Sequence, residues 1–268
     1  MAIDTGSLNA LYKVAYAKGV EDLIPKASKL ADMIPFVPAE LQNGKQYEQP
    51  VVLSAEAGFT YSLDTQNAYD LNESIGMNMQ SAIVPGADIV LDSTVGYNQA
   101  ARASHSATSF KSVMSTKFEN MLKSSEKRLE IAMLYGNGDI GTTPVQSTSI
   151  VSSMVAVALD AASWATGIWS GSENMNIVFS KVSDNTAIDS LRSFKLAKVD
   201  VDAKTIYVAA GTAGTAGTLL TLVTALGADA LKINFYGSVS GSAGTFAYSE
   251  MAGLKKIITN TGSLFGIS

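Results

Sequence analysis

Cysteine is absent from this chain of 268 residues, and histidine occurs once, at His105. Without thiols the chain cannot form disulfides, thiolate metal sites or a cysteine nucleophile. The single imidazole has no second histidine with which to share a metal ion. Metal binding or catalysis would therefore have to rely on carboxylates, hydroxyls, amines or the single imidazole of His105, which could act as a general base.

Long apolar runs and clusters of basic residues are also missing. No stretch reaches the roughly 20 consecutive apolar residues of a membrane helix. The chain carries 19 basic and 24 acidic residues, a net charge of -5 and a pI near 4.9, and its basic residues are scattered. This composition argues against a membrane protein and against a protein that coats nucleic acid, while 47% hydrophobic residues are ample for a buried core.

A long amphipathic helix is predicted over residues 107–135. Its apolar side chains recur at intervals of three and four, which places them on one stripe: they are Phe110, Val113, Met114, Phe118, Met121, Leu122, Leu129, Ala132 and Met133. Gly136, Asn137 and Gly138 follow, and these residues commonly end a helix. We expect one face of the helix to be buried and the other to be solvated.

Residues 46–97 have the pattern of a long β-hairpin. An extended stretch from residue 46 is followed by a polar tip at 64–74 and by a second extended stretch, in which residues 89–97 alternate with a period of two. Pro50 and Pro85 would disrupt a central strand. Because a long two-stranded ribbon is barely stable by itself in water, we expect it to need a partner surface.

The remaining segments divide into helical and β-rich parts. Residues 1–36 contain short helical patterns, which fit either an arm that packs on a neighbouring subunit or a helix pair that caps the chain's own core. Residues 150–162 are interpreted as an apolar helix. Residues 163–245 are interpreted as short strands between glycine-rich loops, with a turn at 202–204, and a short helical turn follows residue 250.

Two glycine-rich loops, GNGDIG at 136–141 and GTAGTAG at 211–217, could cradle a phosphate if each lay between a strand and a helix. The first follows a helix and lacks the lysine of a phosphate-binding loop. The second lies in a β-rich stretch without an acidic residue in the position that binds a ribose. Both loops are therefore interpreted as turns.

The other candidate residues have ordinary structural interpretations. His105 is expected at the surface or at a helix cap, and Trp164 and Trp169 in core packing. The acidic residues near the hairpin fit no calcium loop and are expected to be solvated; they are Asp70, Glu73, Asp88 and Asp92. The sequence therefore predicts no catalytic, cofactor-binding or metal-binding residue and no enzymatic activity.

The order of these parts resembles the major capsid proteins of tailed bacteriophages, which have the Hong Kong 97 fold. GKQYEQPVVLSAEAGFTY at 44–61 is similar to the first strand of the family's extended loop, and EKRLEIAMLYGNG at 126–138 to the end of its spine helix. SWATGIWSG at 163–171 resembles the entry to an insertion, and MAGLKKIITNTGSLFGI at 251–267 a segment of the apical domain. The resemblance covers most of the chain and implies an α+β fold.

The resemblance also implies a division of the chain. The segments are an N-terminal arm at 1–45, the extended loop with flanking peripheral-domain strands at 46–103, the spine helix at 104–138, the axial domain at 139–162 and 246–268, and an inserted β-rich subdomain at 163–245. Since the family's axial domain continues beyond the segment that matches TGSLFGIS, we expect the natural chain to continue past Ser268.

The implied function is structural. Copies of the chain would form hexamers and pentamers, assemble in the host cytoplasm and become the icosahedral head of a virion around double-stranded DNA, which they would contact without sequence specificity. Scaffold, portal and decoration proteins are further partners that the resemblance allows. No membrane is expected among the partners. Two alternatives stay open: a cellular nanocompartment shell that encloses a cargo enzyme, and an α+β enzyme.

Overall fold

The structure is a computed structural model that describes residues 30–34, 46–63, 71–94, 113–211, 216–241, 247–259 and 265–267. Within these residues the fold is mixed α+β with a large antiparallel sheet, which confirms the predicted class at that level. The strands are β1 Gln46–Ser54, β2 Asn78–Pro85, β3 Gly141–Thr143, β4 Ile150–Val151, β5 Met154–Ala158, β6 Asn176–Lys181, β7 Phe194–Asp200, β8 Thr205–Ala210, β9 Leu231–Phe235, β10 Val239–Ser240 and β11 Ala247–Tyr248. The helices are α1 Leu30–Met33, α2 Val113–Tyr135, α3 Thr166–Trp169, α4 Leu219–Ala228 and α5 Leu254–Ile258.

Seven strands form the central sheet, in the order β3-β9-β6-β7-β8-β5-β4. Alternate side chains of β5 and β8, such as Val155 and Ile206, are completely buried because the strand period places them on one face. Trp169 of α3 and Leu222 and Leu226 of α4 belong to the same core. The boundary predicted between residues 162 and 163 falls inside this sheet, because β3 to β5 precede it and β6 to β9 follow it.

The prediction of an apolar helix at 150–162 is wrong. This stretch forms the β4–β5 hairpin, and its turn is made by Ser152 and Ser153, which both have positive φ. Buried Val155 and Val157 alternate with half-buried neighbours, as expected for a strand. The predicted β-rich region also contains two helices, α3 and α4, which the sequence analysis missed, whereas the predicted turn at 202–204 between β7 and β8 is confirmed.

The predicted long hairpin is confirmed. β1 and β2 pair antiparallel from Gln46 opposite Pro85 to Ser54 opposite Asn78, and the Ala57 N–H donates to Ile75 O at 3.1 Å beyond the strands. Tip residues 64–70 lie outside the described part. The strand predicted at 89–97 is wrong for 89–94, which are exposed and form no strand, while 95–97 are not described. We refer to β1, β2 and the residues between them as the ribbon.

The long helix α2 ends at Tyr135 as predicted, and Asn137 follows it with φ of 56°. Residues 107–112 lie outside the described part. Ile131, Ala132 and Met133 are buried, but Phe118 is 65% exposed and Leu122 is 62% exposed. The expected burial of the stripe is therefore wrong for these two side chains, because no described element covers the first half of α2.

Most of the N-terminal arm, residues 1–29 and 35–45, also lies outside the described part, so its predicted packing stays a prediction. Only α1 is described within it. Among the described residues, no helix has the length and the apolar composition needed to cross a membrane.

Candidate assembly surface

The ribbon exposes large apolar side chains on both of its faces. Tyr47 and Val84 are opposite each other on one face, and Val52 and Met79 on the other, and all four are exposed. Toward the tip the exposure increases, reaching 89% at Tyr61. The other large exposed apolar residues of the ribbon are Leu53 in β1, Ile83 in β2, and, between the strands, Phe59, Leu63, Leu71, Ile75 and Met77. Exposed apolar surface of this extent is typical of a binding surface for another protein.

The charge of the ribbon region is entirely negative. Residues 46–94 contain no lysine, arginine or histidine, and they contain seven acidic residues. The rest of the chain is therefore slightly positive, since the whole carries -5. Two such ribbons would repel each other, so the ribbon is better suited to a different surface than to a second ribbon.

The exposed half of the α2 stripe is the second apolar surface. Phe118 and Leu122 are four residues apart and lie on one side of the helix. On the flank of this stripe, Lys117 reaches the Ser93 hydroxyl at 3.3 Å and also donates to the Thr94 carbonyl, so it joins the helix to the chain that leaves the ribbon.

The second half of α2 is tied to three different elements by neighbouring polar residues. The Lys127 ammonium donates to Ser170 O at 2.6 Å, just after α3, and burial lowers its pKa. The Glu130 carboxylate accepts the Leu30 N–H at the start of α1, at 2.8 Å. This half of α2 therefore acts as a structural hub rather than as a free surface.

Arg128 makes the third of these ties. Its guanidinium is 2.7 Å from Glu250 Oε1 and lies 3.2 Å from the centre of the Phe235 ring on β9. Burial lowers the pKa of Arg128 and raises the pKa of Glu250, although each charge favours the ionised form of the other. The pair is a desolvated contact that joins α2 to the segment before α5.

Two glycines bring the same segments into backbone contact. The Gly253 N–H donates to Gly136 O at 2.8 Å. A Cβ atom at Gly253 would lie 2.5 Å from Gly136 N, and one at Gly136 would lie 2.3 Å from Met251 O. Glycine is therefore required at both positions by close packing, which explains part of the GNGDIG motif without a ligand.

The second glycine-rich motif does follow a strand and precede a helix, since β8 ends at Ala210 and α4 begins at Leu219. Its residues 212–215 are not described. The Thr218 N–H, next to the helix start, already donates to the Asp189 carboxylate at 2.6 Å. A Cβ atom at Gly217 would lie 2.3 Å from the Phe194 ring. The described ends of this loop thus pack on the chain itself, and they offer no phosphate site.

The other predicted candidates are not brought together. His105 and Asp70 lie outside the described part, while Glu73, Asp88 and Asp92 are exposed as expected. Trp164 and Trp169 stack with ring centres 6.2 Å apart and Trp169 is completely buried, which confirms their role in packing. Among the described residues, no group of three histidine or carboxylate side chains is arranged to hold a metal ion.

Sequence analysis did not find the contacts of Lys127, Arg128 and Glu130 that make the second half of α2 a hub. The partners of these three residues are distant in the chain. The signal in the sequence was the presence of charged residues next to the apolar C-terminal end of α2. Such residues are common on a solvated helix face, so the signal did not indicate buried contacts.

Comparison of the chain with protein-family models, curated proteins and solved structures found no match in any of the three.

Proposed function

We propose that this chain is the major capsid protein of a tailed bacteriophage, and that its copies assemble into hexamers and pentamers of an icosahedral shell around double-stranded DNA. The observation that carries the proposal is a ribbon with apolar side chains exposed on both faces. A ribbon of two strands cannot cover itself, so its surface needs other molecules. The order of hairpin, long helix and sheet domain, which resembles that family, supports the same proposal.

A second copy of the chain is the occupant that fits the ribbon best. The ribbon region carries only negative charge, whereas the exposed stripe of α2 is apolar and the helix around it carries two lysines and two glutamates, Lys117, Lys123, Glu119 and Glu126, which cancel. A ribbon would therefore meet no net like charge at α2, unlike at a second ribbon. A contact between two different surfaces is heterologous, and repeated heterologous contacts form closed rings when the rotation between copies closes. One chain with both surfaces could therefore build a many-copy assembly.

Electron microscopy of the purified full-length protein, together with its mass in solution, tests the proposal. Closed shells or rings of five and six copies are the expected result. A protein that stays a monomer of 28.0 kDa at high concentration would contradict it.

The content of purified shells tests which kind of shell the protein forms. Shells isolated from the native source should contain double-stranded DNA, detected by nuclease-resistant absorbance. Shells that instead enclose a single enzyme would support the nanocompartment alternative and overturn the phage assignment.

A further inference from the structure

The two prolines of the ribbon occupy equivalent positions in its hydrogen-bond pattern. Along an antiparallel pair, residues whose N–H groups point toward the partner strand alternate with residues whose N–H groups point away from it. The Ile83 N–H donates to Phe265 O at 2.8 Å, so it points away from β1. Pro85 lies two residues farther along β2, and Ser81, two residues before Ile83, lies opposite Pro50. Both prolines therefore have their nitrogen on an outer edge of the ribbon.

This position allows β1 to contain a proline without losing its pairing. A proline nitrogen carries no hydrogen, so a proline whose nitrogen faced the partner strand would remove a hydrogen bond of the ladder. The register places the ladder hydrogen bonds next to Pro50 at the pairs Gln49–Ala82 and Val51–Gln80. Pro50 therefore removes no hydrogen bond from the ribbon, and its effect is confined to the outer edge of β1.

The outer edge of β1 is suited to adding a further strand. An exposed strand edge presents backbone donors and acceptors with which a strand of another chain can pair. β1 also contains the apolar run Val51, Val52 and Leu53, and valine favours strands. Electrostatic repulsion gives this edge little protection, because Glu48 is the one charged residue in β1 and β2. A strand of a second copy could therefore add to this edge if nothing else blocked it.

Pro50 interrupts this edge at its centre. It is exposed and is the middle residue of the nine in β1. The other residues whose N–H groups point outward are Gln46 and Glu48 on one side and Val52 on the other. A strand that paired along this edge would meet the pyrrolidine ring where its carbonyl needs an N–H donor. On the outer edge of β2, the Ile83 N–H already has an acceptor.

We propose that Pro50 is an edge guard, which prevents the outer edge of β1 from pairing with β1 of a second copy. Where copies of the chain associate, they then meet through the exposed faces of the ribbon, and its edges do not join them into continuous sheets. The guard does not rest on the proposed function, because a chain that stays a monomer would need the same protection of its ribbon.

Replacing Pro50 in the full-length protein tests the guard. Pro50→Val restores an outward N–H and supplies a residue that favours strands. We expect the soluble protein, followed by size-exclusion chromatography during incubation, to be lost into aggregates at least roughly tenfold faster than wild type, since each contact regains a backbone hydrogen bond. Infrared spectra of the aggregates should show intermolecular β-sheet, and amide hydrogen exchange should show new protection at residues 46–52.

Three further variants separate the opened edge from other effects of the substitution. Gln49→Val adds the same side chain next to Pro50, but its N–H points toward Ala82, so it should aggregate at the wild-type rate. Pro50→Val combined with Val52→Pro moves the proline two residues along the same edge and should restore the wild-type rate. Pro50→Ala opens the same N–H with a smaller side chain, and it keeps the test valid if Pro50→Val does not fold.

Aggregation of Pro50→Val and Pro50→Ala at the wild-type rate would overturn the proposal, because the proline would then not protect the edge. Equal acceleration by Pro50→Val and Gln49→Val would overturn it as well, because added apolar surface would be responsible, and so would fast aggregation of the double variant. The assembly state of the wild type does not enter these comparisons. A wild type that stays a monomer would therefore contradict the proposed function alone.

Discussion

Arg128 and Glu250 show how a single residue pair can join distant parts of the chain at an energetic cost. Their carboxylate and guanidinium are 2.7 Å apart, and both side chains are largely removed from water. Desolvation of two charges offsets much of their attraction, so a buried pair contributes little net stability, whereas removal of one partner is strongly destabilising. The value of this pair lies in the position that it gives to the segment around Glu250.

Replacing Glu250 tests this interpretation. Glu250→Gln keeps a hydrogen-bond acceptor for Arg128 without a charge, and we expect it to change the free energy of unfolding at pH 7 by less than about 1.5 kcal/mol. Glu250→Ala leaves Arg128 buried without its partner and should cost about 3 kcal/mol. Urea unfolding followed by circular dichroism measures both, and equal effects of the two variants would contradict the interpretation.

The pH dependence of the same residue has a definite sign. Burial raises the pKa of Glu250 in the folded chain above the ordinary 4.5. The Glu250 carboxyl group therefore binds its proton more tightly in the folded state than in the unfolded state. The contribution of Glu250 to stability is therefore full below pH 4.5 and is lost as the pH rises through the raised pKa. Relative to Glu250→Gln, the wild type should lose stability as the pH rises from about 4 to 7. If the difference in free energy of unfolding between wild type and Glu250→Gln did not change with pH, the raised pKa of Glu250 would be contradicted.

Gly217 and Gly227 are a pair of glycines for which the structure predicts opposite effects of alanine. A Cβ atom at Gly217 would overlap the Phe194 ring, whereas Gly227 lies in α4 with open space around it. We expect Gly217→Ala to destabilise by about 1–3 kcal/mol through overpacking. Gly227→Ala should stabilise by about 0.5–1 kcal/mol, because alanine loses less backbone entropy in a helix. Thermal unfolding measures both, and destabilisation by Gly227→Ala would be the contrary result.

At the level of elements, the β3 edge of the central sheet and the edge of β5 that β4 leaves uncovered are both closed by the chain itself. On the β3 edge, Thr142 N donates to the Ser163 hydroxyl at 3.0 Å and Thr142 O accepts the Asp160 N–H at 2.9 Å. On the β5 edge, the Gln146 side-chain amide both donates to and accepts from the Ala158 backbone at 3.0 Å, as a neighbouring strand would. Closed edges discourage pairing between sheets, so association is left to other surfaces.

Removing the Gln146 side chain should open this edge. Gln146→Ala leaves the Ala158 N–H and carbonyl without their partners, and we expect a loss of about 1–2 kcal/mol in the free energy of unfolding. Aggregation, followed by light scattering during heating, should also begin at a lower temperature than in wild type. Ser147→Ala, at an exposed neighbouring position, serves as the control and should change neither quantity.

Elements were predictable where the local pattern was sufficient to define them. The end of α2 follows from helical periodicity and from glycines that are local in sequence. The hairpin of β1 and β2 follows from two extended stretches on either side of a polar tip, although the alternation at 89–97 lies outside its strands. The β4–β5 hairpin was mistaken for a helix because an apolar run of this length fits both structures, and its turn at Ser152 and Ser153 uses residues with positive φ that the sequence does not announce. The burial along α2 and the partners of Arg128 depend on tertiary contacts. The spacing of apolar residues in the sequence does not specify which elements make these contacts.

For the whole molecule, the folded core and the surfaces proposed for association are formed by different residues. The core of the sheet contains completely buried residues such as Leu226 and Phe179, while the ribbon and the first half of α2 expose comparable side chains. Substitutions on the exposed surfaces should therefore affect association without affecting the fold.

The double substitution Phe118→Ser and Leu122→Ser tests this separation. Both side chains are more than half exposed in the chain, so their loss removes little buried area, and we expect the free energy of unfolding of the isolated subunit to change by less than about 1 kcal/mol. Self-association, measured by analytical ultracentrifugation over a range of concentrations, should weaken at least tenfold, because an apolar contact between copies would be lost. Leu226→Ala is the contrasting control: it creates a cavity in the core and should cost about 2–5 kcal/mol in the subunit itself. If the double variant instead destabilised the isolated subunit as strongly as Leu226→Ala while association persisted, the exposed stripe of α2 would be covered within one chain and would not be a contact between copies.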